Sequence, residues 1–263
     1  MVSELLESKG QMILGIGRAS GVSALFSLWL VLLIAILGAK LFLPEIYGRY
    51  LEQEDAFSEY LQALNYLVAA FLSMFFSLVA KRNGLTFLGS LYLFLGLGLA
   101  FVSFEEISWG QRLFGISTPE YFGENNVQGE LTVHNLTAFQ PLLRHVYIAI
   151  SAYGAFAWIL LPLLSSVFKV GCRHFLNYVI ADWFLAPYFL MCFLIYAWLH
   201  YLRPYMYLNE IGSFSDDFWF FLHWRDEEHA ELFLSFGFLF FVMAQFDKLR
   251  RCLAKGTESV ISR

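Results

Sequence analysis

The residues of this chain best suited to chemistry lie between positions 105 and 135: the pair Glu105-Glu106, then Trp109, Gln111 and Arg112, then Glu130, His134 and Asn135. Two adjacent carboxylates that close a long apolar run need a counter-charge, a proton or a cation, because isolated charge at a membrane boundary is costly. Arg112 follows Glu105 by about two helical turns and comes within reach of it if the helix continues. Glu130 and His134 stand at i and i+4; on a helix both would project from one face, a geometry that lets one segment give two ligands to one metal. Between them, Ser117-Thr118-Pro119-Glu120 reads as the start of a short helix ending near Gly123, and Asn125-Asn126 as a turn.

A second polar run, HWRDEEHAE, covers residues 223–231. Helical spacing puts His223, Glu227 and Glu231 on one face and Asp226 and His229 on another. The uncharged run after it, Leu232 to Phe246, is too short to cross a bilayer, which needs roughly 20 helical residues. His229 and Glu231 are therefore expected about a turn inside the membrane. A carboxylate there costs roughly 2.5–3.5 kcal/mol, so it should be paired or ligating and face the bundle interior.

Together these segments imply one outward-opening polar site, to which Gln62, Asn65 and His200 also belong by level. The expected metal ligands are Glu106, Glu130, His134 and His229, a carboxylate–imidazole set that suits Zn, Fe or Mn. Glu106, Glu130 and Glu228 are the expected catalytic carboxylates, since a metal lowers the pKa of bound water towards 7. Arg112, Arg203 and Arg225, with Trp109, Gln111 and Asn135, are the expected substrate-binding residues. Arginine forks match phosphate, so these and Arg144 suggest an anionic lipid headgroup or lipid-linked phosphate; neutralising the nearby carboxylates would use the same residues equally well. The reading is metal-dependent hydrolysis or group transfer on a lipid or lipid-linked substrate. Its rival is a non-catalytic transporter component or assembly partner of other membrane proteins, with the polar cluster as structure.

The elements that must position these residues are membrane helices. The composition is 59% hydrophobic and 15% charged, with mean hydropathy +0.59, and the charges cluster between long uncharged runs. That excludes a soluble domain, and a net charge of −5 with no basic helix excludes a nucleic-acid binder. Residues 21–39 are too long for a signal h-region and no cleavage site follows, so they are the first span. Further spans are expected at about 60–80, 85–105, 143–168, 178–202 and 228–247, the first running over about 20–43: an all-α bundle of six transmembrane helices in a single domain, 1–263. Lys and Arg gather at the N-terminus, at 81–82, at 169–173 and in the C-terminal tail, so both termini are expected in the cytoplasm and the 106–142 loop outside, as in a bacterial inner-membrane protein. Gly96 and Ala100 form a small-xxx-small pair for close helix approach. Cys172, Cys192 and Cys252 make neither a disulfide framework nor a metal-type pair. There is no P-loop, no complete nucleophile elbow and no histidine-box set. Asp182 and His174 are expected to form a local pair on the inner side.

The strings EEISWGQR and NVQGELTVHN resemble a signature of uncharacterised multi-pass bacterial membrane proteins. The resemblance covers residues 105–136 and implies no function. A looser likeness is to membrane metallohydrolases such as alkaline ceramidases, with a carboxylate and histidines near one face of a bundle. This chain departs from them in having His223 and His229 six residues apart rather than four, and one span fewer. The motifs of type-2 phosphatidic acid phosphatases and polyprenyl pyrophosphate phosphatases are absent.

Overall fold

The computed structural model describes residues 18–49, 57–168, 173–208 and 226–261. In chain order the helices are α1 (Arg18–Phe42), α2 (Pro44–Tyr47), α3 (Phe57–Arg82), α4 (Thr86–Glu106), α5 (Gln111–Phe114), α6 (Glu120–Asn125), α7 (Gln140–Phe168), α8 (Arg173–Val179), α9 (Ala186–Ala197), α10 (Arg203–Leu208) and α11 (Glu227–Ile261). A 3-10 turn, Trp183–Leu185, leads into α9, and a π-helical turn, Trp198–Leu202, leads out of it. Six stretches are long and apolar enough to cross a membrane: Gly21–Phe42, Phe57–Arg82, Thr86–Glu106, Gln140–Leu161, Phe175–Met206 and Glu227–Ala254. The expected all-α, six-helix membrane architecture is thus observed, and no strand forms among the described residues. The last helix is the largest departure in length, running well past the expected 247 to Ile261.

α3 and α4 form the most extensive helix pair. Gly84 makes their short turn possible: its φ is +79°, and the bonds Gly84 N→Lys81 O and Leu85 N→Ala80 O close α3 as a Schellman cap, which wants glycine at the left-handed position. α4 then lies directly on α3. A Cβ on Gly89 would stand 2.6 Å from Lys81 Cγ, and one on Gly96 would stand 2.9 Å from Met74 Cγ and 3.1 Å from Ala70 O. Gly96 thus does what small-residue packing requires, and its working partner by close approach is Gly89. Phe76 of α3 stacks on Tyr92 of α4 with ring centroids 3.6 Å apart.

α11 packs on α3 and α9, and α9 also packs on α7. Phe189 of α9 is the wedge among them. A Cβ on Gly154 of α7 would fall 2.3 Å from its ring, and one on Gly237 of α11 would fall 3.1 Å from it. α1 is much less embedded. Leu30, Val31, Ile34 and Leu41 are exposed, as lipid-facing side chains are in a bundle whose solvent is hydrocarbon. Its inner stripe meets the others through Ile36, which clusters with Tyr47, Tyr188, Leu232 and Phe233. Its end is held by Lys40, whose Nζ donates to Asp226 Oδ1 and Oδ2 at 2.6 and 2.7 Å, while Tyr47 donates to Asp226 Oδ1 at 2.5 Å.

The up-and-down course brings the start of α3, the end of α4, the start of α7, the end of α9 and the start of α11 to one end of the bundle. The opposite end carries Lys81, Arg82, Lys248, Arg250 and Arg251. There Asp182 pairs with Lys248 at 2.8 Å; the side chain of His174, its expected partner, lies outside the described residues.

Candidate functional site

Where α4 ends, the chain reverses through three consecutive left-handed residues, Ser108, Trp109 and Gly110, at φ 48°, 54° and 74°. For the two non-glycine residues this costs about 1–2 kcal/mol each. The strain is offset by what the turn holds. Trp109 stacks on Phe104, with centroids 5.5 Å apart, and its indole donates to Glu105 Oε1 at 2.6 Å. Glu105, 3% exposed, also accepts the backbone N–H of Val133 at 2.7 Å and of His134 at 2.9 Å, both on Oε2. The same oxygen lies 3.1 Å from His134 Nδ1.

The 126–137 loop is itself a folded unit. The Asn126 side chain donates to the Thr132 carbonyl and hydroxyl at 2.8 and 2.9 Å and accepts Gln128 N at 2.9 Å. A bridge joins Asn126 to Leu136. Gln111 ties this loop to the rest, accepting Leu131 N at 2.7 Å and donating to Thr118 at 2.5 Å. The expected helical face carrying Glu130 and His134 does not exist. Gly129, at φ +68°, turns the chain just before Glu130, and the two side chains take different partners. Glu130 accepts Ser108 Oγ and pairs with Arg112. Arg112 is therefore not the partner of Glu105, because the helix does not continue past Glu106 to carry it there.

Beside this scaffold, at the shared end of the bundle, lies a cavity of about 970 Å³. Seven glutamates line it, Glu59, Glu105, Glu106, Glu130, Glu227, Glu228 and Glu231, together with His134, His200 and the exposed Arg144. On the α9–α11 side Tyr196 donates its hydroxyl to Glu231, and Tyr147 of α7 stacks on Tyr196, centroids 4.7 Å apart. Gln62 of α3 donates to Glu228 Oε2 at 3.3 Å and to its carbonyl at 3.1 Å. His200 Nε2 lies 3.0 Å from Glu227 Oε1, at ion-pair distance but without hydrogen-bond alignment. Glu106 has no hydrogen bond or cationic partner among the described residues and sits in the field of Glu231, Glu228, Glu59 and Glu105.

Of the residues expected from sequence, the cavity collects Glu106, Glu130, His134, Glu228 and Asn135. Glu231 faces the interior, hydrogen-bonded to another helix. His229 does not join them. It is 3% exposed, its ring meets Tyr47 edge-on at 5.0 Å, and both ring nitrogens are buried without a hydrogen bond among the described residues. The half-turn of helix between Glu231 and His229 sends them to different neighbours. Trp109 and Gln111 brace the turn and do not line the cavity, nor do Arg112 and Arg203. Arg225 lies outside the described residues, as does His223. Asn65 donates to Ser235 Oγ at 3.0 Å within the bundle, below the site. Among the described residues no group of three or more His, Cys, Asp or Glu side chains stands together as a metal site.

Sequence reasoning missed the role of Glu105 and the presence of Glu59, Tyr147 and Tyr196. One signal was available for the first. Adjacent residues on a helix point about 100° apart, so Glu105 and Glu106 had to meet different partners within the site.

The chemistry of the arrangement centres on His134. A carboxylate only accepts, so Glu105 puts the proton of His134 on Nδ1 and leaves the lone pair on Nε2. That nitrogen has no partner among the described residues. No family model matches the chain, and no curated protein or solved structure matches it either.

Proposed function

We propose that this integral membrane protein is a hydrolase or group-transferase that acts on a lipid or lipid-linked substrate in the acidic cavity, with His134 as the general base. The observation that carries this reading is the Glu105–His134 pair, an imidazole oriented by a buried carboxylate at a cavity wall. Such a base draws a proton from water or a substrate hydroxyl as it attacks, and typically contributes 10²–10⁴-fold. Arg144, the one arginine that lines the cavity among the described residues, is positioned to stabilise negative charge that develops on the attacked oxygen. Seven surrounding carboxylates oppose an anionic substrate. The cavity therefore favours an uncharged or cationic headgroup, and the anionic class expected from the arginines is displaced because Arg112 is tied to Glu130.

A second reading rests on the same pair. A carboxylate on one ring nitrogen of a histidine is also the arrangement that orients a metal-bound imidazole. A divalent Zn, Fe or Mn ion on His134 Nε2, completed by a cavity carboxylate, water and substrate, would supply the nucleophile instead. The basic residues at the end opposite the cavity support termini in the cytoplasm and a cavity facing out of it, as in a bacterial inner membrane.

The test is turnover of a neutral acyl lipid, 1-decanoylglycerol, by purified protein and by His134→Gln, with elemental analysis of both. Turnover lost by about 10²-fold or more in the variant, in metal-free protein, supports the base reading. Stoichiometric metal that His134→Gln removes supports the second. Neither turnover nor metal in the wild type refutes both and leaves the polar cluster as the structural core of a transporter component or assembly partner. An impermeant thiol reagent should label a cysteine at the exposed position 124, Glu124→Cys, in intact cells and spare Cys252; the reverse pattern overturns the orientation.

A further inference from the structure

We propose that His200, positioned by Glu227, is the general acid of the same site, and this rests on the reading of His134 as its base. Among the described residues the cavity is lined by two imidazoles, each beside a carboxylate, and they come from separate parts of the fold. His134 sits on the loop braced by Glu105, and His200 sits on the π-helical turn Trp198–Leu202. π-Turns inside helical runs recur at functional sites because the extra residue re-aims a side chain. Here the turn holds His200 with Nε2 towards Glu227 at 3.0 Å, and the ring against Tyr196 with centroids 5.4 Å apart. Nδ1 makes no hydrogen bond among the described residues. The side chain is 12% exposed, on a cavity wall, so its access is to the cavity and not to the lipid face.

The division of labour follows from the partners. His134 takes a proton from water on Nε2 as the water oxygen bonds to the ester carbonyl carbon. When the tetrahedral species collapses, the bond from that carbon to the leaving oxygen breaks and its electron pair goes to the leaving oxygen. The imidazolium of His200 delivers its Nδ1 proton to that oxygen. The proton gained by His134 passes through cavity water to His200, and the sum is ester plus water giving acid plus alcohol. Two histidines in these roles make poor leaving groups departable, which a base alone does not.

The experiment varies the leaving group. Wild type, His134→Gln, His200→Gln and Glu227→Gln are assayed on p-nitrophenyl decanoate, whose phenolate leaves without a proton, and on 1-decanoylglycerol, whose alkoxide does not. His134→Gln should lose both reactions. His200→Gln should stay within a few-fold on the nitrophenyl ester and fall about 10²-fold or more on the glycerol ester. Glu227→Gln should show the same split, smaller, with monodispersity and melting temperature confirming that each variant is folded. Equal loss on both esters in a folded His200→Gln, or no loss on either, overturns the acid role while leaving the base standing. Failure of the wild type on both esters overturns the two together.

Discussion

Glu105→Gln tests whether one buried carboxylate assembles the site. The side chain accepts Trp109 Nε1 on Oε1 and, on Oε2, the N–H groups of Val133 and His134 and the ring Nδ1 of His134. Glutamine keeps one acceptor oxygen and replaces the other with a donor. The three donors on the Oε2 side will hold the amide oxygen there, so the NH₂ faces the Trp109 indole, donor against donor. One buried polar group left unmatched costs about 1–3 kcal/mol; for a chain of this size about 2 kcal/mol is about 4–8 °C of melting temperature. Glu105→Ala strands all four donors and should cost at least twice as much. Unfolding can be read in detergent through a thiol-reactive dye at Cys192, which is fully buried, in a Cys172→Ser/Cys252→Ser background that leaves it the one thiol of the three. Activity should fall further than stability in Glu105→Gln, because the amide no longer dictates the His134 tautomer. Equal melting temperatures for wild type and Glu105→Ala would refute the claim that Glu105 organises the 126–137 loop.

Three further outcomes are expected. Gly154→Ala places a methyl 2.3 Å from the Phe189 ring and should cost about 1–3 kcal/mol by overpacking; Phe189→Leu in the same chain should recover part of it in the same melting assay, and an unchanged Gly154→Ala would contradict the wedge. Lys40→Met leaves Asp226, 5% exposed, without its cation and should destabilise by about 3–5 kcal/mol, partly relieved by Asp226→Asn; full additivity of the two changes would show that the pair is not coupled. His229→Phe removes two buried nitrogens that have no hydrogen-bond partner among the described residues and should leave melting temperature equal or higher, whereas a metal ligand at this position would make the same change lose bound metal.

The six spans were legible because hydrocarbon imposes one arithmetic on every crossing segment, and the shortness of Leu232–Phe246 alone put Glu231 inside the bundle, where Tyr196 holds it. The split of Asp226 and His229 from Glu227 and Glu231 was legible from the helical repeat: the first two meet Lys40 and Tyr47, and the others line the cavity. What the pattern did not carry was the geometry of irregular chain. Glu130 and His134 have helical spacing, but Gly129 is left-handed and Asn126 folds the loop on itself, so i,i+4 has no meaning there. The partners of Arg112 and His134 depended on that loop and on the left-handed turn at 108–110. Neither has a periodic signature.

The contact of Gly96 with Met74 and Ala70 has a reach beyond its own layer. Gly96 lies ten residues before Glu106, about 15 Å along the helix axis, yet it fixes the angular setting of α4. With α4 seated this way, Glu105 meets Trp109, Val133 and His134, while Glu106 faces the other glutamates of the cavity. Two chemically identical neighbours thereby meet different surroundings, helped by a glycine that touches neither. A side chain at position 96 would press on Met74 and Ala70 and displace α4 from this setting, so the site depends on the seating of its helix as well as on its own residues.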